Sequence, residues 1–348
     1  MSKPGLGTSD EPLSQSYDTA VLDLDGVVYV GSAAVRGAPG HLAEAAQAGM
    51  HLAYVTNNAA RPPGAVAGHL RSLDIAADDS DVVTSAQATA RLLADQLPEG
   101  SPVYLIGGEG LATALVERGL VPVTRVTVTT ADQPERQPAA VAQGYGPDMP
   151  WRQVVAGAIL VRDGLPWVAS NTDLTIPTGA GVGPGNGTLV RLVADYAERE
   201  PVVAGKPQPP LFEETLLRVG GKRPLVVGDR LDTDIEGAHN VGWDSLLVLT
   251  GVTGLSELVA AAAQRRPTYL APDLAALGEP HQAPRVADGV ASLGGWRATV
   301  SGGRLSLDGQ GSTADWWRCV AVAAWAHLDS AGEPVDTSAV TVPGADRG

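Results

Sequence analysis

Short apolar runs that stop at Asp, Gly, Thr or Asn recur along the chain, separated by stretches with helical spacing. TAVLDLDG (Thr19 to Gly26) and HLAYVTNN (His51 to Asn58) are two such runs. Continuous apolar character, without alternation, predicts parallel strands covered on both faces. Between them Gly40 to Gly49, with Leu42, Ala45, Ala46 and Ala48, predicts a helix. A further helix over Pro63 to Leu73 leads to the short run Asp81 to Thr84. Strand, helix, strand is therefore established within the first 84 residues.

From about residue 85 to 200 the pattern forms its own units. It predicts helices over Ala86 to Leu97 and Leu111 to Arg118, and strands at Val103 to Ile106, near Val154 to Val161, and at Trp167 to Ser170. Strand-helix alternation then resumes with Pro201 to Pro207, a helix over Leu211 to Val219, the strand Pro224 to Gly228, a helix over Ile235 to Val241, and the strand Ser245 to Leu249. The predicted fold class is α/β: a Rossmann-like parallel-sheet core, residues 17–84 and 201–279, carrying an inserted α/β domain at 85–200. Residues 1–16, rich in Gly, Pro and Ser, read as a loose tail. Residues 280–348 read as a small α+β module with a hairpin (Trp296 to Val300, Arg304 to Leu307) and an apolar helix near Ala314 to His327.

Composition narrows the function classes. The 348 residues carry 24 basic and 39 acidic side chains, a formal net charge of −15, with no Lys/Arg-rich run. Such a surface repels nucleic acid and anionic membranes, so neither is expected as a partner. The single Cys319 can form neither an internal disulfide nor a zinc cluster, which fits a reducing compartment. Neither a secretory leader pattern nor an 18-residue apolar span is present, and the expected location is the cytoplasm. The Asn186-Gly187-Thr188 sequon then reads as coincidence. The six scattered histidines show no i, i+4 pair, and GVGPGNGT (Gly181 to Thr188) fails the dinucleotide pattern.

Four predicted strand ends carry polar groups suited to one kind of chemistry: Asp23 and Asp25, Thr56 with Asn57, Gly205 with Lys206, and Asp229 with Asp234. Parallel strands align their carboxyl ends at one edge. Carboxylates gathered there repel one another unless a cation intervenes, and carboxylates from separate strands suit Mg²⁺. Seen alone, D-L-D-G is an ordinary turn feature. Lys206 is one of only three lysines in a chain that otherwise uses arginine, and it sits between Gly and Pro.

Taken in order, DLDGVVY (Asp23 to Tyr29), VTNNAAR (Val55 to Arg61), AGKPQPP (Ala204 to Pro210) and VGDRLDTD (Val227 to Asp234) resemble the four motifs of the haloacid-dehalogenase superfamily of phosphatases. The long insert between the second and third motifs is similar to the branch with a large C2-type cap, which includes 4-nitrophenyl and phosphoglycolate phosphatases and nucleotidases. The resemblance covers residues 17 to 278. It implies a Mg²⁺-dependent phosphomonoesterase for a small polar phosphate ester, glycerol 3-phosphate foremost, with phosphoglycolate, nucleotides or 4-nitrophenyl phosphate as alternatives. A reading of another class is a non-catalytic sensor of a phosphorylated metabolite.

The resemblance implies roles residue by residue. Asp23 is the nucleophile that forms an aspartyl phosphate, and Asp25, two positions along an extended segment, handles protons. Thr56 and the Asn57 amide hold phosphoryl oxygens, with Lys206 adding positive charge. The metal falls to Asp23, the Asp25 carbonyl and Asp229, supported by Asp234 and Gly228. Asn58, with Asn171 and Asp173 of the loop SNTDLTIPTG (Ser170 to Gly179), faces the substrate. Similar proteins form cap-mediated pairs, so a homodimer is compatible with the resemblance.

Overall fold

The computed structural model describes residues 6–125, 137–178 and 181–343. Residues 1–5 of the expected tail and Gly179, the last residue of the SNTDLTIPTG loop, lie outside them. The chain divides into two compact units, one of residues 1–52 with 221–348 and one of residues 53–220. Both contain parallel sheet with helices between strands, the α/β class expected. Among the described residues no helix is long and apolar enough to cross a membrane.

In the first unit the strands Tyr269–Ala271, Asp244–Val248, Pro224–Gly228 and Thr19–Leu22 lie side by side in that order, all parallel. Thr19–Leu22 and Pro224–Gly228 are buried at every position, which explains their uninterrupted apolar character. The register pairs Leu22 with Val227, so Asp23 and Gly228 emerge together at the carboxyl edge, and Asp229 follows at once.

The expected C-terminal hairpin is the second half of a four-stranded antiparallel meander: Arg285–Ala287, Val290–Leu293, Trp296–Ser301 and Arg304–Gly309. The helix Thr313–Ala331 follows, capped by the Ser312 hydroxyl accepting from the Asp315 amide and closed by Gly332 at φ 79°. Its Trp316, Trp317, Val320, Ala324 and Trp325 share one apolar cluster with Leu247, Leu258, Leu270 and Ile235. The segment is therefore continuous with the core of its unit rather than a separately packed appendage. Residues 6–16 also differ from the loose tail expected. Leu13 is fully buried, the Gly7 amide donates to the Thr268 carbonyl at 2.7 Å, and Ser9 forms a β-bridge with His281. Two apolar side chains, Leu6 and Leu13, within a polar stretch give the segment its anchor.

The second unit is built on five parallel strands in the order Val202–Val203, Trp167–Ala169, Ala140–Gln143, Pro102–Ile106 and Val121–Val123. The strand expected near Val154 to Val161 is instead part of the helix Trp151–Arg162. Its buried positions, Val154, Ala158 and Val161, follow helical spacing, while Val155 and Ile159 are exposed. A run apolar on both faces conceals that period. The four-residue strand Ala140–Gln143, all buried, is an addition to the expected elements, because a short Ala/Val stretch after Pro138 carries no strong signal. The C-terminal half of His51–Thr56 pairs in parallel with Val82–Thr84, with Thr56 opposite Thr84.

Candidate active site

The first unit gathers three carboxylates. Oxygens of Asp23, Asp229 and Asp234 lie within 4.8 Å of one another. Asp23 follows the strand Thr19–Leu22 and is tied to its neighbour by its amide, which donates to the Val227 carbonyl at 2.8 Å. Asp229 is fully buried; one carboxylate oxygen accepts from the Val252 amide at 2.6 Å, and its own carbonyl accepts from the Thr253 amide. Asp234 lies in the π-helical turn Leu231–Ile235 and accepts from the Arg230 amide at 3.2 Å.

Glycines let these groups close up. A Cβ at Gly26, whose φ is +86°, would stand 2.6 Å from an Asp229 oxygen, and one at Gly228 would stand 2.2 Å from the Asp234 Cβ. A side chain at Gly228 would therefore collide with Asp234. Asp23 is half-buried, whereas Asp229 and Asp234 are enclosed, so Asp23 is the most accessible carboxylate of the three. Asp25 is exposed and is not one of the three clustered carboxylates. The turn between Asp25 and Tyr29 is held by the Gly26 amide donating to the Tyr29 carbonyl at 2.8 Å.

Three carboxylates at this spacing, two of them out of water, repel one another, and a cation bound between them would offset that repulsion. The donor set is all oxygen, which selects hard divalent ions over zinc or copper. The residues fit the metal that the motifs imply, and Asp234 enters the cluster directly, beyond the supporting role expected of it.

The second unit brings together Thr56, Asn57, Asn58, Asn171, Asp173 and Lys206. The Asn57 side chain is the hub. Its Oδ1 accepts from the Lys206 amide at 2.8 Å, while Nδ2 donates to the Lys206 carbonyl at 3.1 Å and to the Asp173 carboxylate at 3.2 Å. Both backbone polar groups of Lys206, a residue only 4% exposed, are thereby held. The register explains the meeting. Val203 pairs with Ala169 and the Ala204 amide donates to the Ala169 carbonyl, so Gly205 and Lys206 run beside Ser170 and Asn171. A Cβ at Gly205 would lie 2.4 Å from the Ser170 carbonyl and 2.6 Å from Asn57 Oδ1, which is why glycine precedes the lysine.

Thr56 Oγ1 accepts from the Asn58 amide at 3.1 Å, and Asn58 Oδ1 accepts from the Ala60 amide at 2.9 Å. Asn171, expected to face substrate, is 4% exposed and turned into the protein. Its Nδ2 donates to the Asn57 carbonyl at 2.6 Å, and its Oδ1 accepts from the Asp173 amide at 3.1 Å. Ser85 and Asn186, neither assigned to the site from the sequence, join this group. Ser85 Oγ also donates to the Asn57 carbonyl at 2.6 Å, and Asn186 Nδ2 donates to the Asn171 carbonyl at 2.7 Å. No local pattern could have found them, since the contacts span 28 and 15 residues.

Comparison with known proteins gives the family. Residues 20–121 match the model of the haloacid dehalogenase-like hydrolases, and residues 203–277 match the related HAD-hydrolase-like model. The chain is 41% identical over 303 residues to the D-glycerol 3-phosphate phosphatase of Mycobacterium tuberculosis, covering 87% of this chain and 82% of that protein. An acid sugar phosphatase of Staphylococcus haemolyticus is 34% identical, with 75% and 95% covered. Among solved structures, the glycerol phosphate phosphatase of M. tuberculosis in complex with magnesium superposes with a TM-score of 0.81 at 39% identity, over 93% of this chain and 94% of that one. Motifs, fold and relatives agree, and the chain belongs to the haloacid dehalogenase-like hydrolases.

Proposed function

We propose that the protein is a Mg²⁺-dependent phosphomonoesterase that hydrolyses a small polar phosphate, glycerol 3-phosphate foremost, to the alcohol and inorganic phosphate. The observation that carries the reading is the Asp23, Asp229, Asp234 cluster, with Asp23 its accessible member. Asp23, the Asp25 carbonyl, Asp229 and Asp234 would hold the ion. When bound, magnesium supplies positive charge that offsets repulsion between a carboxylate nucleophile and a phosphate dianion.

A carboxylate oxygen of Asp23 attacks phosphorus in line, the bond from phosphorus to the ester oxygen breaks, and Asp25 gives its proton to the departing alkoxide. Asp25, now a carboxylate, removes a proton from water. The resulting hydroxide attacks the aspartyl phosphate, restoring the Asp23 carboxylate and releasing phosphate. Thr56 and the Asn57 amide donate to phosphoryl oxygens, and Lys206 adds a point charge as negative charge redistributes. Asp173 and Asn58 are assigned to the substrate side.

The glycerol 3-phosphate assignment draws support from the 41%-identical relative that bears that activity in its name. A panel of glycerol 3-phosphate, phosphoglycolate, nucleoside monophosphates, sugar phosphates and 4-nitrophenyl phosphate, with and without EDTA, tests both parts. Higher kcat/KM for another ester overturns the substrate, and unchanged turnover in EDTA overturns the metal. A reducing cytoplasm suits the single, buried Cys319. A homodimer draws support from Trp151, Val155 and Ile159, exposed one turn apart along Trp151–Arg162; sedimentation equilibrium decides between one copy and two.

A further inference from the structure

Thr56 and Thr84 are opposite one another in a parallel strand pair. The residues after them, Asn57 and Ser85, therefore leave the sheet side by side. Ser85 is fully buried as the first residue of the helix Ser85–Ala94, yet it does not cap that helix, because Thr84 and Gln87 form the capping box. Its hydroxyl is spent instead on the Asn57 carbonyl at 2.6 Å. The Asn171 amide reaches the same carbonyl at 2.6 Å from the loop after Trp167–Ala169, and is itself anchored through its carbonyl by Asn186. The two buried donors together fill both lone pairs of that carbonyl.

A carbonyl clamped from two sides fixes the plane of its peptide, and the other polar group of that peptide is the Asn58 N–H. This N–H donates to Thr56 Oγ1 at 3.1 Å. Once the Thr56 oxygen is an acceptor in that bond, its own proton is directed elsewhere. We propose that Ser85 and Asn171 are positioning residues: by fixing the Asn57–Asn58 peptide they hold the Thr56 hydroxyl in the rotamer that donates to a phosphoryl oxygen. Asn186 acts one contact further out, through Asn171. The chemistry explains why these positions carry short polar side chains in a buried setting, where each would otherwise lower stability. It also gives Asn171 a role inside the protein in place of direct substrate contact. The inference rests on the phosphatase reading and deepens it.

The test is a double-mutant cycle on the full chain with glycerol 3-phosphate, or with whichever panel ester the wild type turns over best. Ser85→Ala keeps the capping box and should lower kcat about tenfold, the loss of roughly one directed hydrogen bond in the transition state, with KM little changed. Ser85→Thr, which keeps the hydroxyl, should recover most of that loss. Asn171→Ala should lower kcat by at least as much. The decisive arm is Thr56→Val. In that background Ser85→Ala should have almost no further effect, because its route to substrate has already been cut. Equal, multiplicative losses in both backgrounds overturn the proposal and leave Ser85 a packing residue. Wild-type kcat in a folded Ser85→Ala protein overturns it as well. Should Ser85→Ala fail to fold, the Asn171→Ala and Thr56→Val cycle is read in the same way. An inactive wild type across the whole panel defeats the phosphatase reading, an outcome distinct from either of these.

Discussion

Replacing Gly228 by alanine separates packing from metal support at the carboxylate cluster. The new Cβ would lie 2.2 Å from the Asp234 Cβ, 2.4 Å from its Cγ and 2.5 Å from Oδ2, where ordinary contact begins at 3.4 Å. Reaching ordinary contact therefore requires 3.4 − 2.2 = 1.2 Å of added separation. Asp234 is 1% exposed and the strand Pro224–Gly228 is buried throughout, so neither can yield into solvent. Overpacking of this kind costs about 1–3 kcal/mol, read as a lower urea midpoint. Displacing Asp234 should also raise the Mg²⁺ concentration for half-maximal turnover by roughly 10- to 100-fold, with much of the rate recovered at saturation. Gly40→Ala is the control. Gly40 lies in the helix Ala38–Gln47 with nothing within 4 Å of an added methyl, and the substitution should gain about 0.5–1 kcal/mol without any metal effect. An unchanged Mg²⁺ requirement in a destabilised Gly228→Ala protein would refute the assignment of Asp234 to the metal.

Other outcomes follow from groups elsewhere. His281 is buried, with Nε2 at 3.0 Å from the Ala276 carbonyl and Nδ1 facing the Arg318 guanidinium; burial, against the opposing pull of that carbonyl, takes its pKa from 6.5 down to about 4, with Arg318 adding to the fall. The unfolded chain therefore binds the proton more tightly. The contribution is full above pH 6.5 and is lost as pH falls to 4, a loss of up to about 3 kcal/mol, and His281→Gln should flatten that part of the stability-versus-pH curve measured by urea denaturation. Glu214 is fully buried between Arg91, Arg118 and Arg218. Glu214→Gln leaves guanidinium groups around a neutral amide and should cost about 3 kcal/mol by urea denaturation, the partial exposure of Arg118 and Arg218 holding the figure down. Asp25→Asn should slow both proton transfers, lowering kcat by about 10²- to 10⁴-fold while inorganic phosphate still inhibits competitively; a wild-type rate would exclude its role.

The strand ends are legible because parallel strands advertise themselves twice, as unbroken apolar runs and as the polar residues that stop them. Asp23, Thr56, Lys206 and Asp229 can be ordered along the chain for that reason. The helix Trp151–Arg162 reads as strand because Val155 and Ile159 put apolar side chains on its exposed face, erasing the period that distinguishes helix from strand. Leu6 and Leu13 are too few to mark the N-terminal segment as anchored, although burial of both ties it down. The direction of Asn171 is invisible for a different reason. An Asn in a turn looks the same whether its amide faces a substrate or a carbonyl 114 residues away, and only the parallel register decides which.

The central claim is that an oxygen of Asp23 takes the phosphoryl group. Rapid-quench mass spectrometry during turnover tests it most directly. A transient peptide spanning Asp23, heavier by one phosphoryl group, should form no more slowly than product and be absent from a folded Asp23→Asn protein. Steady release of phosphate with that peptide never modified, or turnover by Asp23→Asn at the wild-type rate, would contradict it.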